Sequence, residues 1–235
     1  MGFFINQVDI TRKADFFSTR INPMHYFEHL SKDKKLKKLL DAGDPHQLKK
    51  RKNICTYLCA SIMSQQLSVK VADVIYKRFI SLYGGKEPSP QQILDTPFEK
   101  LRGIGLSNAK VGYVKNVAQF EMEFGMDARK LGKMTNEEVV NYLVVIKGVG
   151  RWTIEMLLMF ALGREDVFAV DDLGIRNAMI KLYKLDNGNK KKLNEELLRL
   201  SAKWSPYRTY ACVHLWRWKD NAPIVREKRP KEKIK

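Results

Sequence analysis

The sequence predicts an all-α protein, and three observations carry that prediction. Apolar residues recur at helical spacing along most of the chain. Residues that start helices stand just ahead of those runs. The one β-rich run, Asp166 to Val170, is too short to build a sheet.

In chain order, Phe27, Leu30, Leu36, Leu39 and Leu40 mark a first helical region after Asn22-Pro23. Ile54, Leu58, Ile62 and Met63 mark a second, and Val71, Val74, Ile75 and Phe79 a third. Thr96-Pro97-Phe98-Glu99 and Thr135-Asn136-Glu137-Glu138 read as capping boxes, in which a hydroxyl and an acidic side chain satisfy backbone N–H groups at a helix start. Further helices are expected over Ser107 onward, 135–146, Trp152 onward and 172–183. Ser205-Pro206 supplies a cap and first residue for Tyr207 to Trp218. The total is roughly ten helices with short connections.

At 235 residues the chain buries a sizeable core, as one domain or two packed lobes. Charge is the unusual feature: 43 Lys+Arg against 26 Asp+Glu gives +17. A surplus of that size points to a polyanionic partner, nucleic acid first and anionic membrane second. No apolar run approaches the ~18 residues of a spanning helix. The start, Met1 to Asn6, is too short in apolar residues for a signal peptide and lacks a myristoylation pattern. Cys55, Cys59 and Cys212 make neither a disulfide framework nor a repeated zinc pattern, which suggests a reducing compartment. Basic residues cluster at Lys32 to Lys38, at Lys49 to Lys52 and in the tail from Arg226. Residues 1–19 and 222–235 are expected to be a poorly packed extension and a basic tail.

Leu101-Arg102-Gly103-Ile104-Gly105 and Ile146-Lys147-Gly148-Val149-Gly150 share an apolar-x-Gly-apolar-Gly frame ahead of a helix. They read as two helix–Gly-turn–helix hairpins. In the second, glycines permit positive φ and close approach of another backbone. The amides of the turn and of the new helix face one concavity carrying partial positive charge. Such a concavity seats one phosphate without regard to sequence.

Gly148-Val149-Gly150-Arg151-Trp152-Thr153 followed by Asp166-Val167-Phe168-Ala169-Val170-Asp171-Asp172 resembles the helix–hairpin–helix/Gly-Pro-Asp superfamily of DNA glycosylases. Within it the sequence is most similar to the 3-methyladenine DNA glycosylase II branch. The resemblance continues through Ser64-Gln65-Gln66-Leu67-Ser68, Gly105-Leu106-Ser107 with Lys110, Trp204 to Tyr210, and His214-Leu215-Trp216. It covers about residues 50–218, and some members carry an extra N-terminal β-domain, for a large version of which the 50 preceding residues leave no room. It implies a two-lobed helical bundle with an active-site cleft between the lobes. Residues 20–50 with 165–221 would form one lobe, and 51–164, which holds the helix–hairpin–helix, the other.

The resemblance makes Asp172 the catalytic aspartate, with Asp171 as its less favoured twin or as the cap of the following helix. Trp152 and Trp216 would line the pocket for a flipped base, their electron-rich faces suiting a cationic purine. Met156 stands where some relatives have Tyr. Trp204 and Trp218 read as packing residues. The wedge that fills the duplex gap matches Gln65-Gln66-Leu67, with Leu in some relatives where this chain has Gln66. Amides of Gly148, Gly150 and Thr153 would grip a phosphate. Main-chain carbonyls of Val144, Ile146 and Val149 would hold a structural Na+ or K+; no cofactor is otherwise required.

Geometry agrees with that assignment. A helix from Gly150 to Gly163 rises roughly 21 Å, and residues 164–170 extend about 23–25 Å, enough to bring Asp172 back to Trp152. Breaking a purine N-glycosidic bond leaves oxocarbenium-like charge on the sugar, which a carboxylate beside C1′ stabilises while orienting water. Alkylation at N3 or N7 already makes the base a cationic leaving group, so no strong general acid is needed. The lyases of the superfamily use a Lys directly after Gly-x-Gly-Arg to form a Schiff base; Trp152 occupies that place here. A four-cysteine iron–sulfur cluster is impossible with three cysteines. The expected function is monofunctional excision of alkylated purines, of the 3-methyladenine and 7-methylguanine type, from double-stranded DNA by a monomer. Its setting would be a bacterial cytoplasm, or a nucleus in a eukaryote. The alternative is a non-catalytic helix–hairpin–helix DNA-binding protein, which leaves Trp152, Asp172 and Trp216 without a purpose. An RNA-binding helical protein explains only the charge.

Overall fold

The computed structural model describes residues 25–221, and all regular secondary structure among them is helical. The expected N-terminal extension at 1–19 and the basic tail at 222–235 lie outside the described residues. Thirteen helices are present among the described residues, more than the roughly ten expected, because several are too short to show a period.

The first predicted region divides into α1 (His25–Leu30) and α2 (Lys34–Asp41). Asp33 makes the break: its carboxylate accepts from the Lys35 and Leu36 amides and so starts a new helix. α3 (Ile54–Ser64), capped by Asn53, is apolar all round and is buried from Ile54 through Met63, the signature of a central helix. α4 (Val69–Ser81) starts at the Ser68 cap.

Next come α5 (Pro90–Asp95) and α6 (Phe98–Gly103). The capping box expected at Thr96 is absent. Thr96 ends α5, its hydroxyl donating to the Gln92 carbonyl at 2.7 Å, and the box lies one helix earlier at Ser89 and Gln92. α7 (Asn108–Phe124) starts at Ser107 and α8 (Ala128–Gly132) at Asp127. α9 (Asn136–Leu143) has the predicted Thr135–Glu138 capping box but stops short of residue 146.

α10 (Arg151–Phe160), α11 (Leu173–Tyr183), α12 (Lys190–Ala202) and α13 (Arg208–Asn221) complete the chain. α13 begins later than Ser205-Pro206 predicts, since the Ser205 hydroxyl is committed to Asp166 at 2.8 Å rather than to a helix amide.

α3 packs on α4, α7 and α10; α7 also packs on α5 and α6, and α9 on α10. α13 packs on α2 and α11. Trp204 is fully buried with its indole N–H on Asp33, whereas Trp218 is half-buried beneath the Lys181 ammonium, as packing residues should be. The three cysteines are free and buried. No helix among the described residues is long and apolar enough to cross a membrane.

Residues 164–170 form a strap without strand partners, and its fastenings position Asp171 and Asp172 at its end. The Arg164 guanidinium donates to the Asn136 side chain at 2.6 Å and to the carbonyls of Leu131 and Met134 at 2.8 and 2.6 Å. The Asn136 amide donates to the Asp166 carbonyl, and Arg208 holds the Asp166 carboxylate with both ends of its fork. The Val167 amide donates to the Thr209 hydroxyl at 3.1 Å. The strap is thus fastened to α8 and α9 on one side and to α13 on the other. Replacing Arg164 by Met leaves three acceptors without their charged donor. A loss of about 2–3 kcal/mol is expected, read as a lower urea midpoint at unchanged slope.

Candidate active site

Two helix starts converge at the end of the strap. Asp172 is the N-cap of α11: its Oδ1 accepts the Ile175 amide at 2.8 Å. The same oxygen accepts the Trp216 indole N–H from α13 at 2.8 Å. Its Oδ2 accepts the Trp152 indole N–H from the first turn of α10, also at 2.8 Å and across 20 residues of chain. Asp172 is only 4% exposed. Capping falls to Asp172 and not to Asp171, which is exposed, so one carboxylate both starts a helix and gathers two tryptophans.

The indoles differ. Trp216 is 1% exposed and lies against Phe160, ring centroids 5.8 Å apart. Trp152 is half-buried. Gly174 makes the approach of α11 feasible, since a Cβ there would stand 3.0 Å from Asp172 Oδ1 and 3.1 Å from Trp216 Cδ1. Met156, one turn after Trp152, is fully buried, and its carbonyl accepts from Tyr57.

Ahead of α10, Gly148 has φ +102. Side chain rather than backbone comes close to it: a Cβ at 148 would meet the Tyr113 ring at 2.3 Å. Asn116, on the same helix α7, donates to the Lys147 carbonyl. The earlier hairpin echoes this one with an offset. Its positive φ is at Gly105 (φ +107), so Gly105-Leu106-Ser107 corresponds to Gly148-Val149-Gly150 and the shared glycine frame is two residues out of step.

The offset exposes a chemical difference. Ser107 caps α7 with its own hydroxyl, whereas Gly150 caps α10 with no side chain at all. The second helix start is therefore left without an internal anion-like acceptor, which is the condition for accepting one from outside.

Gln65 reaches the hairpin, its side-chain amide donating to the Gly148 carbonyl at 3.3 Å. Gln66 is exposed with φ +60, a left-handed conformation unusual for a non-glycine, and Leu67 is also exposed. Thr153 is buried in the first turn of α10. The Ile146 carbonyl accepts from the Val149 amide at 2.9 Å, and Val144 caps α9. Among the described residues no group of three His, Cys, Asp or Glu side chains could hold a metal ion.

Sequence reasoning passed over Arg151 and Glu155. Arg151 grips Glu137 of α9 with two bonds, at 2.9 and 2.7 Å, and reaches Glu155 at 3.3 Å, clasping both arms of the hairpin. Glu155 is buried, and loss of solvent pushes its carboxyl up to about 7; nearby Asp171 and Asp172 push the same way and Arg151 opposes. The signal available was a lone carboxylate among Ile154, Met156, Leu157 and Leu158.

Fold and site together define a helix–hairpin–helix protein with a carboxylate centre between two indoles. Residues 59–203 match the family described as HhH-GPD superfamily base excision DNA repair protein. The chain belongs to that superfamily. DNA-3-methyladenine glycosylase 1 of Schizosaccharomyces pombe is 33% identical over 228 residues, 96% of this chain and 99% of its own length. Among solved structures, the Schizosaccharomyces pombe 3-methyladenine DNA glycosylase in complex with abasic DNA superposes with a TM-score of 0.73 at 34% identity. That match covers 84% of this chain and 97% of the other. A DNA-3-methyladenine glycosidase from Bacillus halodurans gives 0.72 at 33% identity, covering 88% and 94%.

The local geometry sets two expected outcomes. Gly148→Ala puts a methyl into the Tyr113 ring at positive φ, so it should cost at least about 2 kcal/mol in thermal unfolding. Glu155 binds its proton more tightly folded than unfolded, so its contribution to stability is complete below about pH 4.5 and is lost as pH rises to about 7. Glu155→Gln stays neutral, and should gain on the parent by up to about 3 kcal/mol between pH 4.5 and 8 in denaturant titrations.

Proposed function

We propose that this protein excises alkylated purines from double-stranded DNA by monofunctional hydrolysis of the N-glycosidic bond, acting as a monomer in base excision repair. The observation that carries the reading is the Asp172 carboxylate, held at 2.8 Å by the Trp152 and Trp216 indole N–H groups beside a helix start with no side-chain cap. The hairpin amides of Gly148, Gly150 and Thr153 take a backbone phosphate. Gln65, Gln66 and Leu67 enter the duplex where the base leaves, with exposed Gln66 at the tip. The flipped base stacks on half-buried Trp152, with fully buried Trp216 and Met156 as the packing behind it.

In the reaction the C1′–N bond breaks with its electron pair going to the base, which a 3-methyladenine or 7-methylguanine cation accepts to become neutral. The sugar gains positive charge, which the Asp172 carboxylate stabilises. Water adds to C1′ and gives up one proton, leaving an abasic sugar in an intact strand. No lysine follows Arg151 to form a Schiff base, so the strand is not cut.

The carbonyls of Val144, Ile146 and Val149 suit a monovalent cation. They are neutral oxygens, and that of Ile146 keeps a lone pair beyond its bond to Val149. A bound Na+ or K+ would add positive charge beside the phosphate, and the proposed chemistry at the sugar is independent of it.

Incubation with methylated duplex DNA should release 3-methyladenine or 7-methylguanine, identified by chromatography, with strands that break only after alkali. Folded, DNA-binding protein that releases no base would establish the non-catalytic alternative. Asp172→Asn preserves a capping oxygen but loses one acceptor for the indoles. It should lower the single-turnover rate by about 10²-fold or more while affinity for an abasic-site analogue changes only a few-fold. Loss of activity in Asp171→Asn with Asp172→Asn still active would transfer the role to Asp171.

A further inference from the structure

The Gln66 loop is held by bonds from two other parts of the fold. The loop follows α3, whose last carbonyls have no backbone N–H partners within the helix. An ammonium group from another element meets them: Lys110 Nζ donates to the Met63 carbonyl at 2.9 Å and to the Gln65 carbonyl at 2.7 Å. These two carbonyls bracket the end of α3, and the next residue is Gln66 at φ +60. A non-glycine backbone held in that region needs surroundings that over-determine it.

Lys110 lies in the first turn of α7, directly after the hairpin Gly105-Leu106-Ser107, and the Ser107 hydroxyl caps its amide. Its side chain is half-buried, and burial draws its ammonium below the ordinary lysine range, as expected of a cation committed to carbonyls rather than to water. A positive charge at the carboxyl end of a helix also meets a favourable dipole. From the other side, Gln65 is tied to the Gly148 carbonyl of the second hairpin. The Gln66 loop is therefore strung between the two hairpins, by a cation from one and a carbonyl from the other.

We propose that Lys110 is a positioning residue for base extrusion: through the Met63 and Gln65 carbonyls it holds the Gln65-Gln66-Leu67 loop in the shape that enters the duplex. This rests on the reading of that loop as the wedge. Lys110 touches neither the base nor the sugar in this role, and its charge is committed to the protein rather than to a phosphate. It sets how readily the base leaves the stack, not how fast the glycosidic bond breaks afterwards.

Lys115 supplies a matched control. It lies on the same helix and donates to a single carbonyl, that of Leu94, at 2.9 Å, away from the Gln66 loop. Lys110→Met and Lys115→Met each remove one positive charge and one ammonium from α7. Single-turnover release of 7-methylguanine would be measured from a fully paired duplex and from one with an abasic site opposite the lesion, where pairing no longer resists extrusion. Fluorescence of 2-aminopurine beside the lesion reads extrusion directly.

Lys110→Met should slow release from the paired duplex about 10-fold or more and reduce the fluorescence change. The deficit should fall to within about threefold opposite the abasic site. Lys110→Arg should recover most of the rate. Lys115→Met should match the parent within about twofold on both duplexes, and both Met variants should bind undamaged duplex alike. Equal behaviour of the two Met variants, or a Lys110→Met deficit that is the same on both duplexes, would overturn the proposal. Gln66→Ala separates it from the reading beneath it. A slow Gln66→Ala with an unaffected Lys110→Met defeats the clamp alone, while an unaffected Gln66→Ala defeats the wedge. Should Lys110→Met lose its cooperative melt, Lys110→Gln, which keeps one amide donor, takes its place in the same comparison.

Discussion

Everything at the site depends on one carboxylate accepting three N–H groups from three helices. Asp172 starts α11 by accepting the Ile175 amide, and the same side chain fixes the first turn of α10 through Trp152 and the body of α13 through Trp216. A carboxyl group 4% exposed would suffer a large desolvation cost without such donors. The strap from Arg164 to Val170 delivers it, which explains why so many side-chain bonds fasten a segment without secondary structure. Gly174 completes the arrangement, because only a residue without Cβ lets α11 approach Trp216 without displacing it.

The hairpins show how a small chemical change divides two similar backbones into different tasks. Both turn through a glycine at positive φ, bury an apolar residue next, and place the helix cap after it. In the first the cap is Ser107, which satisfies α7 internally and leaves the following Lys110 to brace the Gln66 loop. In the second the cap is Gly150, which has no side chain to satisfy α10. Tyr113 ties the two together by packing on Gly148, so the helix of the first hairpin supports the turn of the second.

The all-helical class was legible because apolar spacing and caps are local signals. Thr135–Glu138 and the apolar run of α3 illustrate it. Boundaries failed where a tertiary or backward contact prevailed over the expected cap: the Thr96 hydroxyl turned back onto Gln92, and that of Ser205 turned to Asp166. Chain length showed that Trp152 and Asp172 could meet, since the strap is long enough to retrace α10, and family likeness singled the pair out. The meeting of Trp216 with the same carboxylate had no local signal and came only through family likeness. Lys110 was illegible in role because a lysine in a helix reads as solvated surface until the neighbouring carbonyls are placed, whereas Glu155 left one signal, its place among Ile154, Met156, Leu157 and Leu158.

A chain carrying +17 that binds a polyanion still keeps three carboxyl groups close together, and the structure gives each a different environment. Asp171 faces solvent. Asp172 takes the positive end of α11 together with two indole N–H groups, so that an anion is accommodated without drawing on the start of α10. Among the described residues Glu155 pairs with Arg151, which is shared with Glu137, and burial prevails, pushing its carboxyl up to about 7. Below that pH the hairpin's clasp holds one fewer negative charge near the start of α10. On the proposed reading the positive end of α10 is thereby left for the DNA, and Asp172 stands where positive charge on the sugar would develop.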